Sequence, residues 1–180
     1  MHFFNSIFII LVLISSTKSY EDLAVVSNFD VNKYMGHWYL ISSFVSFVDF
    51  YCSCSQVNYT LDPQNSLRVN FEEYCRIFSI FSPYKHSFRY AEIDKNESAK
   101  WTVYNEFIAP ISLRNDYWII GLDGEKYQWA LIGSRNRQSL YVLSRNQTIN
   151  DDIYNDIKKI AYSKHFDATR LAKTSQNCKQ

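Results

Sequence analysis

Between residues 36 and 145 the chain alternates polar and apolar positions with a period of two, broken at intervals by turn residues. Residues 56–61 (QVNYTL) alternate, a turn follows at Asp62-Pro63-Gln64-Asn65-Ser66, and 67–71 (LRVNF) alternate again. Residues 87–93 (SFRYAEI) and 100–107 (KWTVYNEF) form a second pair across Asp94-Lys95-Asn96-Glu97. Residues 117–122 (YWIIGL), 127–133 (YQWALIG) and 139–145 (SLYVLSR) continue the series, separated by Asp123-Gly124 and by residues 134–138. An earlier run, 36–44 (GHWYLISSF), is rich in aromatic and β-branched residues and starts on a glycine two places before a tryptophan. Short strands, each linked to the next by a turn, predict an antiparallel meander that can close into a barrel. Helical periodicity appears last. Asn150 is placed to cap a segment with aspartates in its first turn, and Ile153, Ile157 and Ile160 recur at helical spacing.

The N-terminus reads differently. Residues 3–14 are an apolar run too short to span a bilayer, followed by small and polar residues to Ser19. Thr17 and Ser19 occupy the −3 and −1 positions of a cleavage site, so residues 1–19 are expected to be a secretory signal. The expected mature chain, residues 20–180, is one domain's worth of sequence, secreted and soluble. The formal charge is +1 and becomes zero with the loss of Lys18. With no basic block, nucleic acid is not expected as a partner. Three sequons, at Asn58, Asn96 and Asn146, fit glycosylation on that route. Four cysteines, Cys52, Cys54, Cys75 and Cys178, predict two disulfides with three possible pairings. Cys-Ser-Cys is too tightly spaced for a usual zinc ligand pair, and no metal or other cofactor is expected.

The stretch NFDVNKYMGHWY (28–39), with its Gly-x-Trp, resembles the first signature of the lipocalins. NDYWIIGLDGEKYQWALIG (115–133) resembles their second signature region, and LYVLSRN (140–146) resembles the third, which ends in an arginine. The likeness extends over nearly all of the expected mature chain and is nearest to the apolipoprotein D and bacterial-lipocalin branch. It implies an all-β fold: an eight-stranded antiparallel up-and-down barrel with one C-terminal α-helix packed outside. It also implies a structural role for Gly36, Trp38, Asp123 and Arg145, with Trp38 plugging the closed end and Arg145 lying across its indole. Two departures stand out. Leu40 occupies a position where this branch usually has a glutamate, and the turn at Gly124-Glu125-Lys126 is one residue longer. The branch's bond from the barrel wall to the tail would be Cys54–Cys178, leaving Cys52–Cys75. A simple hairpin register puts this second pair on opposite faces unless a β-bulge intervenes.

Strand parity then predicts the cavity lining. Sequon residues Asn58 and Thr60 must face solvent, so Val57, Tyr59 and Leu61 face inward. The same reasoning expects Leu67, Val69, Phe71, Phe88, Tyr90, Trp101 and Val103 inside. In YWII and WALI both faces are apolar and parity is silent; a lipocalin-like register selects Tyr117, Ile119, Ala130, Ile132 and Tyr141. No lysine, histidine or carboxylate falls on the inner face so defined. The expected function is to bind or carry a small hydrophobic molecule such as a fatty acid, sterol, retinoid-like polyene or tetrapyrrole. Mouth loops at 44–51, 76–84 and 107–115 are rich in Phe and Ile, and a fourth loop carries Arg135 and Arg137. They are expected either to touch a membrane or lipoprotein surface or to lid the cavity. The protein is expected to be a monomer or weak dimer and not an enzyme. The alternatives are an occluded barrel acting as a secreted interaction protein, and a lipocalin-type isomerase that would need a free cysteine.

Overall fold

The computed structural model describes residues 22–44, 52–77, 83–105 and 113–178. The expected signal (1–19) and most of the expected mouth loops (45–51, 78–82 and 106–112) lie outside the described residues. A four-residue helix α1 (Val31–Tyr34), capped by Asp30, precedes strands β1 (Gly36–Phe44), β2 (Cys52–Asp62), β3 (Asn65–Ile77) and β4 (Tyr84–Ile93). Strands β5 (Lys100–Asn105), β6 (Leu113–Leu122), β7 (Trp129–Gly133) and β8 (Leu140–Ser144) follow, then helix α2 (Asp151–Ser163) and a short β9 (Leu171–Lys173). Each of the first seven strands pairs antiparallel with the next, and β1 pairs with both β8 and β2. The eight strands therefore form a closed up-and-down barrel, with α2 outside. Closure removes the exposed sheet edges that a meander of this length would otherwise leave.

The seam between β1 and β2 is paired only over its lower half, from Gly36↔Tyr59 to Tyr39↔Gln56. Above it β2 carries a bulge, in which Cys54 and Ser55 oppose Cys75 alone, and Cys54 has a φ of +59°. The bulge shifts the β2–β3 register by one, so Cys52 lies opposite Ile77 and shares a face with Cys75. That shift lets the Cys52–Cys75 disulfide form, and the second disulfide is Cys54–Cys178. The tail fills the gap left in the seam. β9 pairs with Ser42–Phe44, Thr174 donates to the Ile41 carbonyl, and Cys54 donates to the Ser175 carbonyl. Gln176 bridges both walls through its side-chain amide, at 2.8 Å from Leu40 O and from Ser55 O.

Two apolar layers result. One fills the barrel interior; the other lies between α2 and the outer faces of β1, β6, β7 and β8, where Ile41, Trp118, Ile120, Leu131 and Val142 meet Tyr154, Ile157 and Ala161. This is why YWII and WALI are apolar on both faces: one face looks into the barrel and the other lies under a helix. On α2 the buried stripe is Tyr154, Ile157 and Ala161, while Ile153 is 42% exposed. The apolar face is thus rotated one residue from the isoleucine repeat, because Tyr154 reaches in to donate to Ser42 Oγ at 3.0 Å.

The expected lining needs one correction. Phe88 and Tyr90 point outward. Directly paired residues on neighbouring strands share a face, and β4 pairs as Phe71↔Arg89 and Val69↔Ala91. With Val69 and Phe71 in the interior, Arg89 and Ala91 are inside too. Phe88 is 68% exposed, and Tyr90 stacks on Tyr104 under the Arg68 guanidinium. Both faces of SFRYAEI carry apolar residues, so alternation could not choose its phase.

Candidate functional site

The closed end is built around Arg145. Its guanidinium lies 3.9 Å above the Trp38 ring and donates to the carbonyls of His37 (2.7 Å), Met35 (2.8 Å) and Lys33 (2.9 Å). Trp38 in turn donates through its indole N–H to the Tyr34 carbonyl at 2.8 Å. Gly36 sits between them with a φ of +92°, a conformation that side-chain-bearing residues rarely adopt, and an added Cβ would lie 3.5 Å from an Arg145 nitrogen. The backbone geometry thus explains the lone glycine before the tryptophan. Asp123 precedes Gly124 in the β6–β7 turn, half-buried, with one carboxylate oxygen buried and unpaired.

Above this plate the interior is packed with rings. Tyr34, delivered by α1, is fully buried and contacts Trp38, Tyr59 and Trp101 at centroid distances of 4.9, 5.4 and 5.3 Å. Sequence patterning did not place Tyr34 inside; its only signal is its position one turn before the Gly-x-Trp. Of the expected lining residues, Val57, Tyr59, Val69, Phe71, Trp101, Val103, Ile119, Ala130 and Ile132 belong to this packed layer, none more than 6% exposed. Tyr117 and Tyr141 sit higher and are half-buried, stacked on one another and on Trp101 in a staircase with steps of about 6 Å.

The tyrosine hydroxyls converge. Tyr59 and Tyr117 share a hydrogen bond of 2.5 Å. The Tyr34 hydroxyl lies beside this pair, close enough to interact with the Tyr59 and Tyr117 oxygens, although no hydrogen bond of good geometry reaches it. Burial, followed by the mutual repulsion their charged forms would suffer, pushes all three phenols well above the usual tyrosine range.

A charged pair lies higher on the same inner face, and its Glu73 corrects the expectation of a lining without a carboxylate. Glu73 pairs across from Val57, and Arg89 across from Phe71. Arg89 grips Glu73 in a bidentate pair, one arm of which is Nε to Oε2 at 2.9 Å, and its guanidinium lies 6.0 Å over the Phe71 ring. Burial would lower the Arg89 pKa, but the Glu73 charge and hydrogen bonds outweigh it and hold it above the ordinary arginine value. Neither side chain is sealed: 34% of Arg89 and 27% of Glu73 remain accessible. Alternation from Val69 and Phe71 already points Glu73 inward, but residue type alone points both members outward, and only the β3–β4 register brings Arg89 to the same face.

A sequence model of the lipocalin-like domain matches residues 29–176. The chain belongs to the lipocalin family. Temperature-induced lipocalin-1 of Arabidopsis thaliana is 32% identical over 164 residues, covering 87% of this chain and 84% of that protein. The outer membrane lipoprotein Blc of Escherichia coli K12 is 25% identical, covering 90% and 88%, and bovine apolipoprotein D is 29% identical, covering 86% and 81%. Among solved structures, insecticyanin from the tobacco hornworm Manduca sexta superposes with a TM-score of 0.66 at 14% identity, covering 86% of this chain and 85% of that one. Lobster apocrustacyanin A1 gives 0.65 at 15% identity, covering 82% and 80%. These structural neighbours share the barrel.

In this lipocalin the sequon residues lie away from the mouth. Asn58 is on the outer wall opposite Glu72, Asn96 is in the β4–β5 turn, and Asn146 follows β8; both of these sit at the closed end. All four cysteines are in disulfides. His37, His86 and His165 are exposed. Of the two arginines expected at the rim, Arg135 is exposed near Asp116, whereas Arg137 is buried, donating to the Arg135 and Lys164 carbonyls.

Proposed function

We propose that this lipocalin is secreted, glycosylated at Asn58, Asn96 and Asn146, and binds a small hydrophobic molecule in the open half of its barrel. The observation that carries the reading is the contrast between the sealed aromatic layer and the accessible inner face above it. A ligand resting on Tyr117 and Tyr141 would bury its chain against ring faces, gaining about 25 cal/mol for each Å² of apolar surface removed from water. The packed floor restricts such a ligand to the upper half, so the pocket reaches less deeply than the full expected lining. Catalysis is not part of this reading, because the isomerase alternative needs a free thiol and every cysteine is bonded. Contact of the mouth with a membrane or lipoprotein surface would rest on Arg135 and the loop residues alone, since Arg137 is folded inward. Flotation with anionic vesicles tests that contact; protein left in the soluble fraction removes it.

Intrinsic fluorescence tests ligand uptake. Trp101 lies 6.0 Å (ring centroids) beneath Tyr117, whereas Trp118 and Trp129 sit with the outer layer under α2. A long-chain probe carrying bromine, a short-range quencher, is expected to dim the wild type, with much of the effect lost in Trp101→Phe. No quenching in the wild type would favour an occluded barrel that acts through its surface.

A further inference from the structure

We infer that Glu73 and Arg89 form the head-group site of the barrel and select an uncharged, hydroxyl-bearing ligand over an ionised one. The inference rests on the proposed carrier reading and deepens it. Both residues face the interior through their register partners Val57 and Phe71, and both keep part of their side chains accessible, 34% for Arg89 and 27% for Glu73. Around them stand other hydrogen-bonding groups. Ser87 Oγ lies 3.5 Å from Glu73 Oε2, and Tyr141 is near enough to act electrostatically on Arg89. Ser43, buried, pairs across from Tyr141 on β1. The sealed rings lie below this group, so the ion pair stands at the bottom of the open half, and a long ligand entering head-first would bring its head to the pair and leave its tail toward the mouth.

The chemistry of a satisfied pair differs from that of a lone arginine. Glu73 already neutralises the Arg89 field in bidentate geometry, so an entering carboxylate would meet no net positive charge and would lie beside another carboxylate. It would also give up its water. An entering ammonium would meet the mirror problem beside Arg89. A hydroxyl both donates and accepts. It can donate to a Glu73 lone pair while accepting from Arg89 or Tyr141, and it adds no charge to the site. The ligand class is therefore a long apolar molecule with an alcohol head, such as a fatty alcohol or a sterol.

The test is calorimetric titration of the folded, disulfide-bonded protein at neutral pH with dodecanol, dodecanoate and dodecylammonium, which share one chain and differ in the head. The wild type is expected to bind the alcohol at least tenfold more tightly than either ion, a difference of about 1.4 kcal/mol. Because an alcohol is also less soluble than its ions, the decisive quantity is the change in the acid-to-alcohol ratio on substitution. Glu73→Gln leaves the Arg89 charge unneutralised and is expected to move that ratio tenfold or more toward dodecanoate, with dodecanol changed less than threefold. Arg89→Gln is expected to move the corresponding ratio toward dodecylammonium, which keeps the inference testable if one variant fails to fold. Wild type that binds dodecanoate as tightly as dodecanol, or a Glu73→Gln ratio unchanged, overturns the head-group assignment and leaves the carrier reading standing. Failure of all three ligands to bind overturns both.

Discussion

Replacing Arg145 with alanine removes the cation that ties the barrel floor together. Three short hydrogen bonds from a charged donor, to His37, Met35 and Lys33, are lost along with the stack on Trp38. Hydrogen bonds to charged groups contribute roughly 1.5–3 kcal/mol each, and a cation–π contact about 0.5–2 kcal/mol. These do not add in full, because the Lys33 and His37 carbonyls lie near the surface, where water can replace the guanidinium. A net loss of about 3–4 kcal/mol follows, near the lower end for breaking a partly buried charged network. For a chain of this size that is a fall in Tm of roughly 6–16 °C. Arg145→Lys keeps the charge but not the planar fork, so it should recover less than half of the loss. Urea unfolding followed by tryptophan fluorescence gives the free energies, and a double-mutant cycle with Trp38→Phe isolates the stacking contribution, expected near 1 kcal/mol. If Arg145→Ala costs under about 1 kcal/mol, or Lys serves as well as Arg, the floor is held by something other than this network.

Tyr34→Phe should stabilise the protein by about 1 kcal/mol in the same urea assay, because it removes a buried hydroxyl that makes no hydrogen bond of good geometry; a loss of stability would mean that its approach to the Tyr59 and Tyr117 oxygens satisfies it. Of the 14 tyrosines, Tyr34, Tyr59 and Tyr117 have phenols raised above their unfolded values, so the native state holds their protons longer than the unfolded chain. The sign of the linkage makes this stability complete below about pH 10 and progressively lost as pH rises beyond it. Absorbance titration should therefore show at least three tyrosines ionising only with unfolding, and reversible titration of every tyrosine in the folded state contradicts the packing. Gly36→Ala should cost about 1–2 kcal/mol from its φ of +92° alone, since the added carbon meets only ordinary contact distance at Arg145; a neutral outcome by thermal unfolding would mean the backbone relaxes freely there.

Much of the barrel was legible because its strands are short, alternating and separated by clear turn chemistry. The floor was legible through Gly36, Trp38 and Arg145, which are local sequence features with one structural solution. What could not be read depends on register. Phe88 and Tyr90 alternate as convincingly as Arg89 and Ala91, and only the β3–β4 pairing chooses between the two faces. The bulge at Cys54 decides whether Cys52 and Cys75 share a face, yet it has no glycine to announce it. Glu73 and Arg89 were invisible for a related reason: charged residues are assigned to solvent unless their partner is known, and their partner is each other. Tyr34 escaped because it enters the barrel from a helix outside the strand pattern. The tail's role in closing the β1–β2 seam likewise comes from contacts more than a hundred residues apart in sequence, such as Gln176 to Leu40.

The central claim is that the open half of this barrel holds a small hydrophobic molecule. Native mass spectrometry of protein secreted from a eukaryotic host, followed by organic extraction, tests it most directly. A filled barrel would show a mass excess beyond the glycans that extraction removes, in a ratio of one to one, and an extract containing an apolar, hydroxyl-bearing compound. Protein that leaves the cell empty, and stays empty when incubated with such compounds, would contradict it.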